Sequence, residues 1–169
     1  MVLCPSTEGN LGDGIFRFHD FKALNGKWSI GTDSHVGLNP FEELRLLDYG
    51  QRLISHKRDT FYVSRKADRG FNAIEMMWQT GKKAMGNITN DFFDVGKPFD
   101  TVIMDANMPL VKNTSEKHWC NTYVYSSDAS HILGTIVGGN WVVKNGVNND
   151  FNAISSHFNK TLKKLASRV

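Results

Sequence analysis

The sequence predicts a mixed α/β chain, and three observations carry that expectation. Two short apolar runs flank a helical segment near the amino terminus; a long, well-capped amphipathic helix follows; and beyond Gly86 the hydrophobic period changes from 3.6 to 2. The first run, Val2 to Cys4, reads as a buried strand ended by Pro5, and the polar, glycine-bearing STEGNLGDG after it reads as a loop. Phe18 to Leu24 is a short helix closed by Asn25-Gly26, where glycine suits a left-handed backbone. Trp28 to Thr32 is the second strand. The order strand, helix, strand makes a βαβ unit, so the two strands should be parallel.

Asn39 to Arg58 has the strongest local signals. Asn39 can cap, Pro40 suits the first helical position, and Glu42 stands where a capping-box acid belongs. Phe41, Leu44 and Leu47, beside Leu46, Tyr49 and Leu53, offer a broad apolar face, and His56, Lys57 and Arg58 oppose the dipole at the end. A further helix runs from about Arg69 to Met85, with Phe71, Ile74, Met77, Trp78 and Met85 on one side and Gly86 as its stop. Its methionines read as core filler. Beyond it the candidate strands are Asp100 to Met104, Trp119 to Ser126, Leu133 to Val137 and Asn140 to Lys144. Gly138-Gly139 makes a tight hairpin between the last two. Asn145-Gly146 ends the strand run, and Ala153 to Ala166 forms a terminal helix with Ile154, Phe158, Leu162 and Leu165 on one side.

Composition excludes several function classes. With 20 Lys and Arg against 17 Asp and Glu, the formal charge is only +3, and the basic residues are scattered, which argues against a nucleic-acid partner. The clusters Lys57-Arg58 with Arg65-Lys66, and Lys160 with Lys163-Lys164, read as solvated helix ends or faces. No apolar run approaches the ~20 residues that span a bilayer. MVLCPSTEGN carries no charged leader region, so the default expectation is a cytoplasmic protein. Cys4 and Cys120 stand in no CxxC or His-rich setting and read as buried small hydrophobes.

Asp33 ends the second apolar run. An aspartate there is commonly a turn or cap residue, yet in parallel α/β folds functional residues gather at the carboxyl ends of strands. The surrounding motifs are more specific. LCPSTEGNLGDGIF, GTDS and EELRLLDYGQR, followed by VGKPFDTVIMD and IVGGNWVVKNG, together resemble the C-terminal part of the formimidoylglutamate deiminases, a family of the metal-dependent amidohydrolase superfamily. CPSTEGNLGDGIF and EELRLLDYGQR are the narrow motifs; the others are shared in looser form across the superfamily. The sequence departs from the family pattern at Ser6, Gly9 and His35.

The resemblance implies a C-terminal fragment of a (β/α)8 TIM-type barrel, namely its last two strand-helix units, plus part of a small β-sandwich domain. Residues 1–86 would be the barrel portion, 87–146 the partial sandwich and 147–169 a C-terminal helix. It implies hydrolysis of N-formimino-L-glutamate to N-formyl-L-glutamate and ammonia, in histidine degradation. Asp33 would then be both a ligand of a divalent metal, zinc in this superfamily, and a catalytic proton acceptor. The family's other ligands come from a His-x-His pair and a histidine on earlier strands. The six histidines here, His19, His35, His56, His118, His131 and His157, form no such pair, and only His35 is near Asp33 in sequence. A barrel of this kind takes about 250 residues. The expectation is therefore a truncated remnant or one piece of a split enzyme, inactive alone and holding metal weakly or not at all. A missing N-terminal polypeptide or a second copy of the chain would be its partner. Alternatives remain open: a non-catalytic interaction module, or a fragment acting on another amidine, guanidine or aminopurine.

Overall fold

The structure is a computed structural model that describes residues 1–64, 67–87 and 93–168. Arg65-Lys66 of the first basic cluster lies outside the described residues. The chain divides into two compact units, Met1–Asn90 with Ala106–Ala129, and Asp91–Asp105 with Ser130–Val169. Among the described residues no helix is long and apolar enough to cross a membrane.

In the first unit β1 (Val2–Leu3) and β2 (Ser29–Ile30) pair in parallel, Val2 opposite Ser29 and Leu3 opposite Ile30. Between them run α1 (Pro5–Leu11) and α2 (Phe18–Ala23). The expected loop STEGNLGDG is thus largely helical. Pro5 presets the first helical position, and Glu8 Oε1 reaches back to accept the Cys4 N–H at 2.8 Å, satisfying a donor that the helix start leaves free. Gly12, at φ +75°, ends the turn. At the end of α2 the left-handed residue is Asn25, at φ +57°, rather than Gly26. Gly26 is required for space instead, since a β-carbon there would lie 2.3 Å from the ring of Phe21.

Beneath the strands Phe18, Trp28 and Phe61 form an aromatic cluster. The Phe18 ring meets Trp28 edge-on at 4.9 Å, and Trp28 stacks on Phe61 at 5.7 Å. Leu3, Leu44, Leu47, Ala73 and Val124 complete the buried core.

The helix α3 (Pro40–Ser55) begins as expected, with Asn39 Oδ1 accepting the Phe41 N–H at 3.0 Å. Its inner face differs from the expected apolar one. Leu44 and Leu47 are buried, but so are Glu43, Asp48 and Gln51, whereas Leu53 is 76% exposed. The side chains at i and i+4 explain the arrangement: Asp48 accepts from Arg52 one turn on and from the Tyr125 hydroxyl, and Gln51 donates to the Phe16 carbonyl at 2.8 Å.

The helix α4 (Arg69–Ala84) starts at Asp68, whose carboxylate accepts the Phe71 N–H at 2.8 Å, and is followed by Gly86 at φ +78°. Ile74 and Met77 pack against the core, as expected, while Phe71 and Met85 are exposed. A short α5 (Pro109–Lys112) and one 3-10 turn, Glu116–His118, lead into α6 (Trp119–Ser126). This last segment was expected to be a strand. WCNTYVYS is rich in aromatic and β-branched residues, but as a helix it buries Tyr123 and Val124 and places Tyr125 against Asp48, and tertiary packing overrides the local propensity. It also lies very close to α4: a β-carbon on Gly70 would fall 2.5 Å from the backbone of Cys120 and Asn121.

The second unit is a four-stranded antiparallel sheet in the order β3 (Thr101–Met104), β4 (Ile132–Val137), β5 (Asn140–Lys144), β6 (Val147–Asn148). Gly138 and Gly139 turn the central hairpin at φ +56° and +79°, as expected of a two-residue connection with positive φ. Asn145-Gly146 also have positive φ, and they turn the chain into β6 rather than ending the strand run. The terminal helix α7 (Phe151–Ala166) starts two residues before Ala153, and its apolar residues Ile154, Phe158, Leu162 and Leu165 are exposed.

Two outcomes test the Asp48 cluster. Asp48→Ala leaves the Arg52 guanidinium and the Tyr125 hydroxyl without their buried acceptor, and should lower stability by about 3 kcal/mol in urea unfolding. Burial first, and then the Asp48 carboxylate, push the Tyr125 hydroxyl well above the usual tyrosine range. The unfolded chain therefore loses this proton first, and stability should fall as pH rises above about 10. Tyr125→Phe should remove that part of the alkaline slope.

Candidate functional site

Because β1 and β2 are parallel, the segments that leave their carboxyl ends, Cys4 to Glu8 and Gly31 to Ser34, emerge side by side. Their approach is close: a β-carbon on Gly31 would lie 3.3 Å from Cys4 Sγ. Asp33 sits in a tight turn closed by the His35 N–H donating to the Thr32 carbonyl at 2.8 Å. Within this turn Asp33 has φ +41° and His35 φ +59°. A left-handed backbone is costly for any residue with a β-carbon and least so for Asn and Asp, and such residues cluster at functional sites. Asp33 and His35 are both exposed.

The turn is supported from below. Thr7, 1% exposed, donates to the Thr32 carbonyl at 3.2 Å and lies 3.1 Å from Ser34 Oγ. One residue earlier, the Ser6 N–H donates to Glu43 Oε2 at 3.0 Å, tying the start of α1 to α3. Glu43 Oε1 and Ser6 Oγ are buried without a hydrogen-bond partner among the described residues. Both face Gly37, where a β-carbon would stand 3.0 Å from the one and 3.2 Å from the other. Burial, and then the negative charge of Asp33 and Glu8, push the Cys4 thiol above its ordinary range.

The sequence singled out Asp33 and passed over Thr7 and Glu43. Thr7 was hidden in an expected loop. Glu43 carried a readable signal, because it stands four residues before Leu47 on the buried stripe of α3, and an acid on such a stripe has a polar task inside the fold.

The remaining histidines are not brought to Asp33 by any described contact. His19 lies 3.8 Å from Asp59, His118 lies 3.3 Å from Asp68, and His56 caps α3 in a left-handed conformation. An open cavity of about 390 Å³, lined by Arg17, His19, Gln51 and Asp59 among others, does not include Asp33. Among the described residues no group of three or more His, Cys, Asp or Glu is placed to hold a metal ion. Asp33 can offer one carboxylate to a cation, whereas a catalytic zinc takes three protein ligands and a water. The described residues therefore do not make up such a metal site by themselves.

Comparison with known proteins agrees with the resemblance. No family model matches the chain. Over 144 residues, 85% of this chain, it is 37% identical to the formimidoylglutamate deiminase of Pseudomonas aeruginosa. A solved amidohydrolase from Brucella melitensis superposes on 98% of the chain with a TM-score of 0.84 and 29% identity. An adenosine deaminase from Xanthomonas campestris, solved with bound zinc, superposes on 98% with a TM-score of 0.76 and 16% identity, a likeness of fold. The chain spans about a third of these proteins, 32% of the deiminase, 36% of the Brucella chain and 37% of the Xanthomonas chain. Over most of its length, then, this mixed α/β chain is similar in sequence to a part of formimidoylglutamate deiminase and in structure to a part of a solved amidohydrolase.

Proposed function

We propose that the chain supplies the C-terminal third of a metal-dependent hydrolase acting on non-peptide carbon–nitrogen bonds, with N-formimino-L-glutamate as substrate and N-formyl-L-glutamate and ammonia as products. Asp33 carries the proposal. It is an exposed carboxylate in a strained turn just past a strand of a parallel pair, where such folds assemble their chemistry. The 37% identity to a formimidoylglutamate deiminase supports the substrate.

In this reading Asp33 has two tasks, as one ligand of a divalent metal, zinc, and as acceptor of the proton released when water adds to the imine carbon. A divalent metal, when bound, lowers the pKa of water to about 7. Asp33 suits the second task because its carboxylate is exposed on the turn, while the groups beneath it are held by their own hydrogen bonds. In this reading residues 1–86, whose compact unit also takes in Ala106–Ala129, contribute the last two strand-helix units of the barrel, the four-stranded sheet within 87–148 contributes part of a sandwich domain, and the chain ends in a C-terminal helix. The remaining ligands come from further polypeptide, so the 169 residues alone are inactive. A second reading, a non-catalytic interaction module, draws on the exposed apolar stripe of α7. Sedimentation would separate the two, because a module that works through that stripe by self-association would shift to a monomer on Phe158→Glu.

Two measurements test the first reading. The purified chain with added zinc should release no ammonia from N-formimino-L-glutamate, and activity that disappears in Asp33→Ala would refute its inertness. Combined with a polypeptide carrying the earlier strands and their histidines, it should release ammonia, and Asp33→Ala should then cost roughly a hundredfold or more. Asp33→Gly should abolish activity equally yet raise the chain's stability by about 0.5 kcal/mol, because it relieves the left-handed backbone. Thermal unfolding of the two chains compares this directly.

A further inference from the structure

We infer that Thr7 is the positioning residue of Asp33, holding the left-handed turn from both flanks through a single buried hydroxyl. The inference rests on the reading of Asp33 as the reacting carboxylate and deepens it. The turn itself has one internal bond, from the His35 N–H to the Thr32 carbonyl, and two non-glycine residues at positive φ. A backbone so strained persists only where its surroundings over-determine it.

Thr7 is the group that does so. Its hydroxyl lies 3.2 Å from the Thr32 carbonyl, immediately before Asp33, and 3.1 Å from Ser34 Oγ, immediately after. A hydroxyl has one proton to give. The carbonyl can only accept, so Thr7 donates to Thr32 and the Ser34 hydroxyl donates to Thr7. The peptide carbonyl before Asp33 and the side chain after it are thereby referred to one atom.

That atom is well fixed. Thr7 is 1% exposed, its β-branched side chain has little rotamer freedom, and it stands on α1, whose start is held by the Cys4 N–H bond to Glu8 and the Ser6 N–H bond to Glu43. Strain in the turn is thus carried by a helix anchored to α3, and Asp33 itself needs no hydrogen bond to stay in place.

Nuclear magnetic resonance on the 169-residue chain tests this without any need for activity. At positive φ the amide and α protons of one residue approach closely, so Asp33 should show a strong intraresidue HN–Hα cross-peak. Thr7→Val keeps shape and burial but removes the hydroxyl. It should weaken that cross-peak and speed amide exchange at His35 roughly five- to tenfold, while the β1–β2 cross-strand contacts stay unchanged. Thr7→Ser should preserve the wild-type signature. Ser34→Ala, a surface change with no risk to the core, should produce a smaller effect of the same sign. An unaltered Asp33 cross-peak and His35 exchange in Ser34→Ala and in folded Thr7→Val would overturn the inference. Full activity of Asp33→Ala in the complemented enzyme would instead overturn the reading of Asp33, and would leave the resonance result standing.

Discussion

The candidate site depends on the parallel pairing of Val2–Leu3 with Ser29–Ile30. An antiparallel pair would send the two outgoing segments to opposite ends of the sheet; a parallel pair sends both to the same end. The ladder is short, flanked by the Ser29 N–H bonded to the Met1 carbonyl and the Gly31 N–H bonded to the Leu3 carbonyl, each at 3.0 Å. Four strand residues cannot hold such a register by themselves. Leu3 and Trp28 hold it from the core, and Ser29 Oγ donates to the Met77 carbonyl of α4 at 3.1 Å. The aromatic cluster is therefore more than a source of buried area: it fixes the register that brings Thr7 under Asp33.

Much of this was legible in the sequence wherever one residue forces one local geometry. Asn39-Pro40, Gly86 and Gly138-Gly139 announced their caps and turns because few alternatives suit those backbone angles. The misread segments are ones whose local preference is weak or opposed. Ser6 to Gly14 has loop composition, and only the Pro5 start and the Glu8 reach-back make most of it a helix. Trp119 to Ser126 has strand composition, and its helical form is selected by contacts with α3 and α4, which lie far off in sequence. Asp33 was legible as a position, whereas its support by Thr7 was not, because the two are 26 residues apart and meet only through the strand pairing.

Three carboxylates along the same stretch of chain show how environment assigns the tasks of one chemical group. Asp48, 1% exposed, is engaged by Arg52 and Tyr125 and holds α3 to α6. Glu43, as deeply buried, takes the Ser6 N–H with one oxygen and faces Gly37 with the other. Asp33 is exposed and makes no demand on the core. The fold engages the first two through hydrogen bonds and leaves the third carboxylate at the surface.

Gly70 marks where this arrangement has no slack. The closest approach to a β-carbon at that position is made by main-chain atoms of Cys120 and Asn121, which no rotamer change can move aside. Even a β-carbon would force the main chain to shift at the start of α6, the helix that carries Tyr125 and leads to the Ser127 carbonyl that Arg45 holds at 3.1 Å. In evolutionary terms the position is a dead end for single steps. A lineage could replace this glycine only after the neighbouring helix had already shifted, so the spacing of two helices should outlast nearly every side chain that lies between them.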